Sequence, residues 1–343
     1  MYAISMLDKL EELVRDTLPE ITLDNSSLKK ELPALAKDSE RLAILHNSVA
    51  EIPLHHKLFG RDARSLDEVS DCSVHLVVTS PPYWTLKQYN ESDGQLGNIE
   101  DFDDFLDELD EIWRECYRVL VPGARVVIVV GDVCLSRRKH GKHSVVPLHA
   151  AIQERRRKIG FDNLAPIVWY KIANASLEVE NGSSFLGKPY EPNAVIKNDI
   201  EYILMQRKPG GYRSPTPAMR VLSVISEKDH REWFRQIWTI PGAHSHVHPA
   251  PYPLELAERL VRMFSFVGDT VLDPFLGTGT TSLASARCGR NSVGYELDLD
   301  YLTHAATRLQ KETKNSLSRA TIEIHGSRIN SMHSNDNHSS SRC

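Results

Sequence analysis

The chain predicts an α/β protein built on a Rossmann-like, mostly parallel twisted sheet with helices on both faces. Three observations carry this. Short Val- and Ile-rich runs recur from residue 56 onward, helical stretches separate them, and one run ends in a glycine loop that opens a helix.

In chain order, residues 1–50 place Leu7, Leu10, Leu13 and Val14, then Leu28, Leu32 and Leu35, at helical spacing, which predicts an N-terminal helical extension. Its opening stretch "MYAISMLDKLEELVRD" has acids in its first turns and no uninterrupted apolar core, so it reads as an amphipathic helix and not as a signal peptide. From His56 come "KLF", "VHLVV", "ARVVIVV", "PIVWY", "EYILM", "DTVLD" and "NSVGYE", runs of strand length ended by Gly, Pro or Asp. Residues 101–119 gather Phe102, Phe105, Leu109, Ile112 and Trp113 on one helical side, and residues 253–264 form a second helix opened by a proline. "VLVPG" after the first reads as a helix end running into a turn. Residues 172–240 break the rhythm with "NGSSFLGKPYEPN" and "KPGGYRSPTP", predicting loops with little regular structure, of a length that is usually functional. Residues 316–343 are polar and predicted disordered.

Composition narrows the class. An apolar content of 41% in 343 residues supports a sizeable core. Cys72, Cys116, Cys134, Cys288 and Cys343 contain no C-x-x-C pair, which suits a reducing interior; Cys72, on the approach to a strand, is expected in the core. No stretch reaches the roughly 18 to 20 apolar residues of a membrane span, so a soluble, cytoplasmic protein is expected. The net charge of −5 hides an asymmetry: residues 91–115 carry 11 acids against Arg114, whereas residues 121–170 hold 9 Lys/Arg against 3 acids, including "SRRKHGKH" and "ERRRK". The basic block could line a polyanion, or be a solvated helix face and a basic loop.

Two motifs carry the chemistry. "VLDPFLGTGTT", residues 271–281, stops a strand at Asp273 and turns through Gly277 and Gly279 into a helix, so the backbone can approach a ligand at the helix N-terminus. Glu296 closes the next apolar run 23 residues later, where nucleoside-binding doubly wound sheets hold a ribose diol. With no G-x-x-x-x-G-K-[ST] lysine, a nucleoside without phosphates such as S-adenosylmethionine (SAM) fits better than a triphosphate; a structural strand-to-helix turn is the alternative. The second motif is "TSPPYW", residues 79–84. Pro81 and Pro82 fix φ and remove two N–H donors, and Ser80 before proline is held extended. The corner offers acceptors only, suited to the two hydrogens of an –NH₂ group, with Tyr83 as a stacking face. A plain turn, or a proline-rich ligand motif for another domain, would leave the same pattern.

Together the motifs resemble the amino-methyltransferases that act on DNA bases, with "TSPPYW" as their catalytic motif and "DPFLGTGTT" as their cofactor motif. "LFGRDA", "RVLVPGARVVIVVGD", "IVWYK" and "HPAPYPLELAERLVRMFSFVGD" support the likeness, which covers about residues 56–312. The motif order is that of the permuted (beta) class, and Ser in the first motif position is the form associated with cytosine N4. The resemblance implies a catalytic half over 51–171, a target-recognition insertion over 172–240 and a SAM-binding half over 241–315. It implies that Ser80, Pro81, Pro82 and Tyr83 hold the base, and that Asp273, Pro274, Phe275, Gly277, Thr278, Gly279 and Thr280 surround the methionine and ribose. Glu296 would take the ribose hydroxyls and Asp62 would approach the adenine amino group. Phosphate contacts are expected from Arg137, Arg138, Lys139, Lys142, "ERRRK", Lys188, Arg207, Lys208 and Arg213. The implied reaction is direct in-line transfer to a cytosine flipped out of double-stranded DNA, with adenine N6 as the rival target and a SAM-dead DNA-binding module as the alternative outside enzymes. Protein glutamine and RNA guanine nitrogens are substrates of related corners. The expected setting is a restriction-modification system near the nucleoid, with a cognate endonuclease as possible partner and a monomer or homodimer as assembly. No metal is expected, and "HSHVH" at residues 244–248 reads as a loop.

Overall fold

The computed structural model describes residues 5–84, 94–135, 137–171, 192, 196, 198–243, 252–315 and 320–326. Its strands are β1 (His55–Phe59), β2 (Val74–Thr79), β3 (Leu120–Val130), β4 (Val133–Leu135), β5 (Ser144–Val146), β6 (Asp162–Asn163), β7 (Ile167–Tyr170), β8 (Ile200–Arg207), β9 (Ile237–Trp238), β10 (Thr270–Asp273), β11 (Asn291–Tyr295) and β12 (Thr321–His325). The helices are α1 (Met6–Thr17), α2 (Leu28–Leu35), α3 (Ser39–Ser48), α4 (Phe102–Val119), α5 (Arg137–His140), α6 (Leu148–Ile159), α7 (Pro217–Leu222), α8 (Glu227–Trp233), α9 (Leu254–Phe264), α10 (Thr280–Arg287) and α11 (Leu299–Asn315).

The main sheet runs β12-β1-β11-β10-β2-β3-β8-β7-β9, with β6 pairing β8 off this path. From β12 to β3 every pairing is parallel; β8 is antiparallel to both β3 and β7. Alternation along the strands feeds two cores. Val77, Val126, Ile128 and Leu272 join the aromatic and aliphatic face of α4 on one side, while Leu76, Val78, Val127, Val129 and Val271 meet α9 on the other. Helix α4 begins where its sequence provides a cap: Asp101 accepts from the N–H groups of Asp103 and Asp104 at 2.9 and 3.0 Å. Helix α9 follows Pro253 directly.

Four expectations change. "VLVPG" is the start of β3 and not a turn: Leu120 pairs with Val74, and the register shifts before Leu76 meets Arg125, a bulge that absorbs Pro122 and the left-handed Gly123 (φ 80°). The stretch 172–240 is not all irregular. Its residues 200–207 are β8, a full partner of β3, and α7, α8 and β9 follow. The tail expected to be disordered contributes β12, which extends the sheet beside β1 from His55↔Thr321 to Phe59↔His325; residues 327–343 lie outside the described residues. Cys72 is exposed, in a left-handed turn (φ 49°) ahead of β2.

The N-terminal extension has a packing role that its sequence did not reveal. Leu10, Val14, Leu28, Leu35, Leu42 and Leu45 form a third core with Ala218, Val221 and Leu222 of α7 and with Val267, just before β10. This layer therefore sits by the amino end of the parallel strands. Among the described residues no helix is long and apolar enough to cross a membrane, and no cluster of His, Cys, Asp and Glu could hold a metal.

Candidate active site

Strand order locates the crevice. From β10 the chain passes to β11 on one side, whereas from β2 it passes to β3 on the other, and β10 and β2 are neighbours. This is a topological switch point, and in open α/β sheets the ligand crevice lies outside the carboxyl ends of the strands that flank it. The proline corner leaves the carboxyl end of β2 and the glycine loop leaves that of β10, so the two motifs the sequence singled out face one crevice.

At the corner, Pro81, Pro82 and Tyr83 are buried and Ser80 is partly open. Ser80 Oγ donates a long 3.4 Å bond to Tyr83 Oη. The chain then turns through Trp84 at φ 48°, a left-handed conformation that costs a non-glycine residue energy; the Trp84 ring meets Phe102 edge-on at 5.2 Å. Gly131 sits against the corner. A Cβ there would lie 3.6 Å from Tyr83 Cε2 and 3.2 Å from Glu201 Cγ.

Across the crevice, Gly277 and Gly279 adopt φ of 52° and 80°, as the motif requires, and Gly279 caps α10. Gly294 is needed for contact: a Cβ would come within 2.5 Å of Leu276 Cδ1. Glu296 Oε2 accepts the Gly277 N–H at 2.7 Å and Oε1 accepts that of Asp298 at 2.9 Å. Desolvation pushes the Glu296 carboxyl up to about 7, with those two backbone bonds opposing the rise. Phe275 packs edge-on to Trp113 at 6.1 Å, in the same apolar cluster as Tyr83.

Asp273, expected to lie against the cofactor, ends β10 beneath the glycine loop. It is 1% exposed and takes its bonds from protein. Its Oδ1 accepts Thr79 Oγ1–H at 2.6 Å and Phe275 N–H at 3.1 Å, and Tyr252 Oη lies 3.5 Å from Oδ2. Burial raises its pKa and these donors oppose the rise. Asp62, beyond β1, is held by Arg64, whose Nε and backbone N–H both donate at 2.9 Å.

The candidate phosphate contacts divide sharply. Because β8 runs backwards, Arg207 is opposite Arg125, midway along β3 and five residues short of its crevice end at Val130. Arg207 pairs there with Asp162 at 3.1 Å, and Lys208 Nζ donates to the Leu120 carbonyl at 2.8 Å. Arg213 is committed to buried Asp269, just before β10, at 2.5 and 2.7 Å. In "ERRRK", Arg155 bonds Asp110 at 2.8 Å and Asp107 on α4, Arg157 bonds Glu154, and Arg156 is wholly buried against Trp113 and Phe161. The β4–β5 hairpin is different. It leaves the crevice end of β3 directly after Gly131 and Asp132, and Arg137, His140, Lys142 and His143 are exposed near its tip. Of the Arg138 and Lys139 side chains, Lys188 and the "HSHVH" segment, nothing falls within the described residues.

Several groups at the site were given no role by their sequence. Asp132 accepts from His149 Nδ1 at 2.6 Å, and the His149 ring stacks on Tyr202 at 3.8 Å. Glu201 pairs with Lys171 of "IVWYK". Arg308 of α11 donates to the Thr278 carbonyl at 2.6 Å and to its hydroxyl at 3.1 Å, so a guanidinium does lie on the glycine loop, engaged by the loop itself. Asp132 closes the quoted "RVLVPGARVVIVVGD", Glu201 and Tyr202 open "EYILM" and Lys171 ends "IVWYK", whereas His149 and Arg308 lie in no quoted run, and Arg308 is 30 residues from its partner.

Comparison with known proteins gives the family. Residues 74–307 match the DNA methylase family. The Type II methyltransferase M.MjaI of Methanocaldococcus jannaschii is 40% identical over 279 residues, 72% of this chain and 89% of its own. M.MthZI of Methanothermobacter thermautotrophicus is 34% identical over 282 residues, 76% of this chain and 78% of its own. A putative DNA modification methylase of Thermus thermophilus, crystallised with S-adenosyl-L-methionine, superposes with a TM-score of 0.64 at 53% identity, over 79% of this chain and 100% of its own. The cytosine-N4-specific PvuII DNA methyltransferase shares the fold at a TM-score of 0.54 and 17% identity, over 79% of this chain and 97% of its own. The chain belongs to the N6/N4 DNA methylase family, Rossmann-like enzymes that take their methyl group from S-adenosyl-L-methionine.

Proposed function

We propose that this chain methylates the exocyclic N4 of a cytosine flipped out of duplex DNA, as the modification enzyme of a restriction-modification system. The observation that carries the reading is adjacency: the Ser80–Tyr83 corner, whose two prolines bring no N–H, and the Gly277–Gly279 loop leave the carboxyl ends of neighbouring parallel strands at the switch point. Ser80 in the first corner position supports cytosine as the base, and the Type II methyltransferase relatives support the setting.

The residues fit SAM on their own chemistry. Glu296 already accepts one backbone N–H on each oxygen and keeps lone pairs for the hydroxyls of a ribose. Gly277 and Gly279 hold left-handed φ values of 52° and 80° that a side chain would strain, which lets the loop's main chain turn sharply at the end of β10. SAM supplies an electrophilic methyl group on a sulfonium. The chain's own task is to present the nitrogen. Its lone pair is delocalised into the base, so positive charge would build on the amino group as the nitrogen–methyl bond formed and the sulfur–methyl bond broke to leave a thioether, and loss of one amino hydrogen to solvent as a proton would discharge it. Ser80 Oγ and the corner's carbonyls accept its two hydrogens and stabilise that charge, with no donor from Pro81 or Pro82 to compete. Ser80 Oγ gives its hydrogen to Tyr83 Oη at 3.4 Å, which leaves its lone pairs to accept such a contact. Tyr83 stacks on the base, which helps offset the few kcal/mol that flipping costs. DNA approaches the carboxyl edge of the sheet, where the β4–β5 hairpin presents Arg137 and Lys142 to phosphates.

The test is incubation with labelled SAM and a sequence-diverse plasmid, digestion to nucleosides and identification of the product by mass. N4-methylcytosine is expected. N6-methyladenine overturns the choice of base, and unlabelled DNA overturns the methyltransferase reading.

A further inference from the structure

Beneath the crevice four side chains from distant parts of the chain meet. Thr79 is the last residue of β2 and immediately precedes Ser80; Asp273 is the last of β10 and precedes the glycine loop. Thr79 Oγ1 donates to Asp273 Oδ1 at 2.6 Å across 194 residues of sequence. Thr281, in the first turn of α10, donates Oγ1–H to the Val78 carbonyl at 3.1 Å, a second tie between the same two segments, 203 residues apart. Tyr252 Oη bridges the two ties, bonded to Thr281 Oγ1 and 3.5 Å from Asp273 Oδ2. Thr79 and Thr281 are fully buried and Asp273 is 1% exposed.

Each hydroxyl has one hydrogen. Thr281 and Tyr252 therefore share two hydrogens among three contacts, to Val78, to each other and to Asp273 Oδ2. The short bonds of Asp273 come from Thr79 and the Phe275 N–H. Breaking the Thr79 bond strands a buried carboxylate, which costs far more than the loss of one exposed contact. A carboxyl group with almost no surface has no face left for a small ligand; its burial serves the two strand ends that it joins.

We propose that Thr79, Asp273, Tyr252 and Thr281 form a brace that holds the Ser80–Tyr83 corner at a fixed distance from the glycine loop, and that Asp273 is a positioning residue acting through Thr79 and not a contact to the methyl donor. The proposal rests on the methyltransferase reading above. Its consequence is a division of labour: the glycine loop and Glu296 set affinity for the donor, whereas the brace sets how well the bound donor and the nitrogen are aligned.

The test compares Thr79→Val, which keeps the shape and removes the hydroxyl, with Thr79→Ser, which restores the donor. SAM affinity is measured by calorimetry, and kcat with both SAM and DNA saturating. For Thr79→Val the expected result is a kcat about 100-fold lower, the loss associated with a misplacement of about 1 Å, with the SAM Kd within about threefold of wild type, under the 1.4 kcal/mol of a tenfold change. Thr79→Ser is expected to recover most of the lost kcat. Equal losses of SAM affinity and turnover in Thr79→Val overturn the proposal, since the residue then acts through donor binding; so does an unchanged kcat. Should circular dichroism show Thr79→Val unfolded, Tyr252→Phe, which breaks the bridge and leaves Thr79–Asp273 intact, is judged by the same ratio. Wild-type protein in the same assay separates the two readings: absent methyl transfer there refutes the methyltransferase assignment, whereas normal transfer with matched losses in the variants refutes the brace alone.

Discussion

Glu296 makes donor binding depend on pH in a direction the site dictates. Its carboxyl is pushed from an ordinary 4.5 up to about 7 by burial at the end of β11. A ribose diol donates hydrogens, so it favours the ionised form. At pH 6 roughly one Glu296 in eleven is ionised and at pH 8 roughly ten in eleven, which gives a rise of about tenfold in SAM affinity across that interval and a plateau above it. The folded state runs the other way. A raised carboxyl pKa means that folded protein keeps a proton the unfolded chain releases at 4.5, so this group lowers stability as pH climbs from 4.5 to about 7. Binding therefore strengthens over the upper part of the range in which Glu296 has been weakening the fold. Isothermal titration calorimetry from pH 5.5 to 8.5 at constant ionic strength measures the first effect. Glu296→Gln should bind SAM about tenfold or more weakly, given about 1.5–3 kcal/mol for hydrogen bonds to a charged group, and should show no slope. A flat wild-type profile refutes the role given to Glu296, as does a Glu296→Gln protein that keeps the wild-type slope.

Ser80→Ala should leave the SAM Kd unchanged and lower kcat by about 100-fold or more, the loss seen when one group stabilising transition-state charge is removed; turnover equal to wild type removes Ser80 from the mechanism. Arg137→Ala and Lys142→Ala should each reduce the slope of log affinity for DNA against log salt by about 1, while Arg207→Ala and Arg157→Ala leave it unchanged, as fluorescence anisotropy across a salt series can show. Gly279→Ala places a Cβ 2.8 Å from Ala305 Cβ and 3.2 Å from its Cα at a φ of 80°, and should destabilise the protein by about 1–3 kcal/mol in urea unfolding. Arg156→Met should raise the urea midpoint: the guanidinium is buried with no hydrogen-bond partner among the described residues, its pKa driven down to about 9 by that burial, and an apolar side chain of similar length avoids the desolvation.

The strands and the two motifs were legible because each is a local signal: consecutive Val and Ile residues buried on both faces, then a turn whose prolines or glycines restrict the backbone within a few residues. Direction and partnership were not local. "EYILM" reads as a strand whichever way it runs, and only its antiparallel pairing with β3 carries Arg207 and Lys208 away from the crevice end. The partners of the charge blocks were hidden for a related reason. Most of the acid-rich segment lies on α4 and "ERRRK" lies on α6, and the two helices pack together, so that Arg155 pairs with Asp107 and Asp110, 48 and 45 residues away. Thr79 and Thr281 lie inside the two motifs but showed no role of their own, and Arg308 gave no signal, since a threonine or arginine acquires its role here from an atom far off in sequence.

This difference in range explains how the site is built. A strand end can present only two or three consecutive residues, so the groups proposed to touch base and donor must lie in short motifs, and sequence finds them. Holding two such ends in register is the work of bonds that cross the whole chain, Thr79 to Asp273 and Thr281 to Val78, and sequence cannot display them. The same geometry restricts where DNA can lie. With α1–α3 and α7 packed by the amino end of the parallel strands and Arg213 sealed onto Asp269 there, the carboxyl edge is the face where the corner, the glycine loop and the exposed charges of the β4–β5 hairpin coincide. A duplex bound at that edge meets Arg137 and Lys142 on its backbone while one nucleotide is swung toward Tyr83; bound at the opposite edge, it would be separated from both motifs by the full length of the strands.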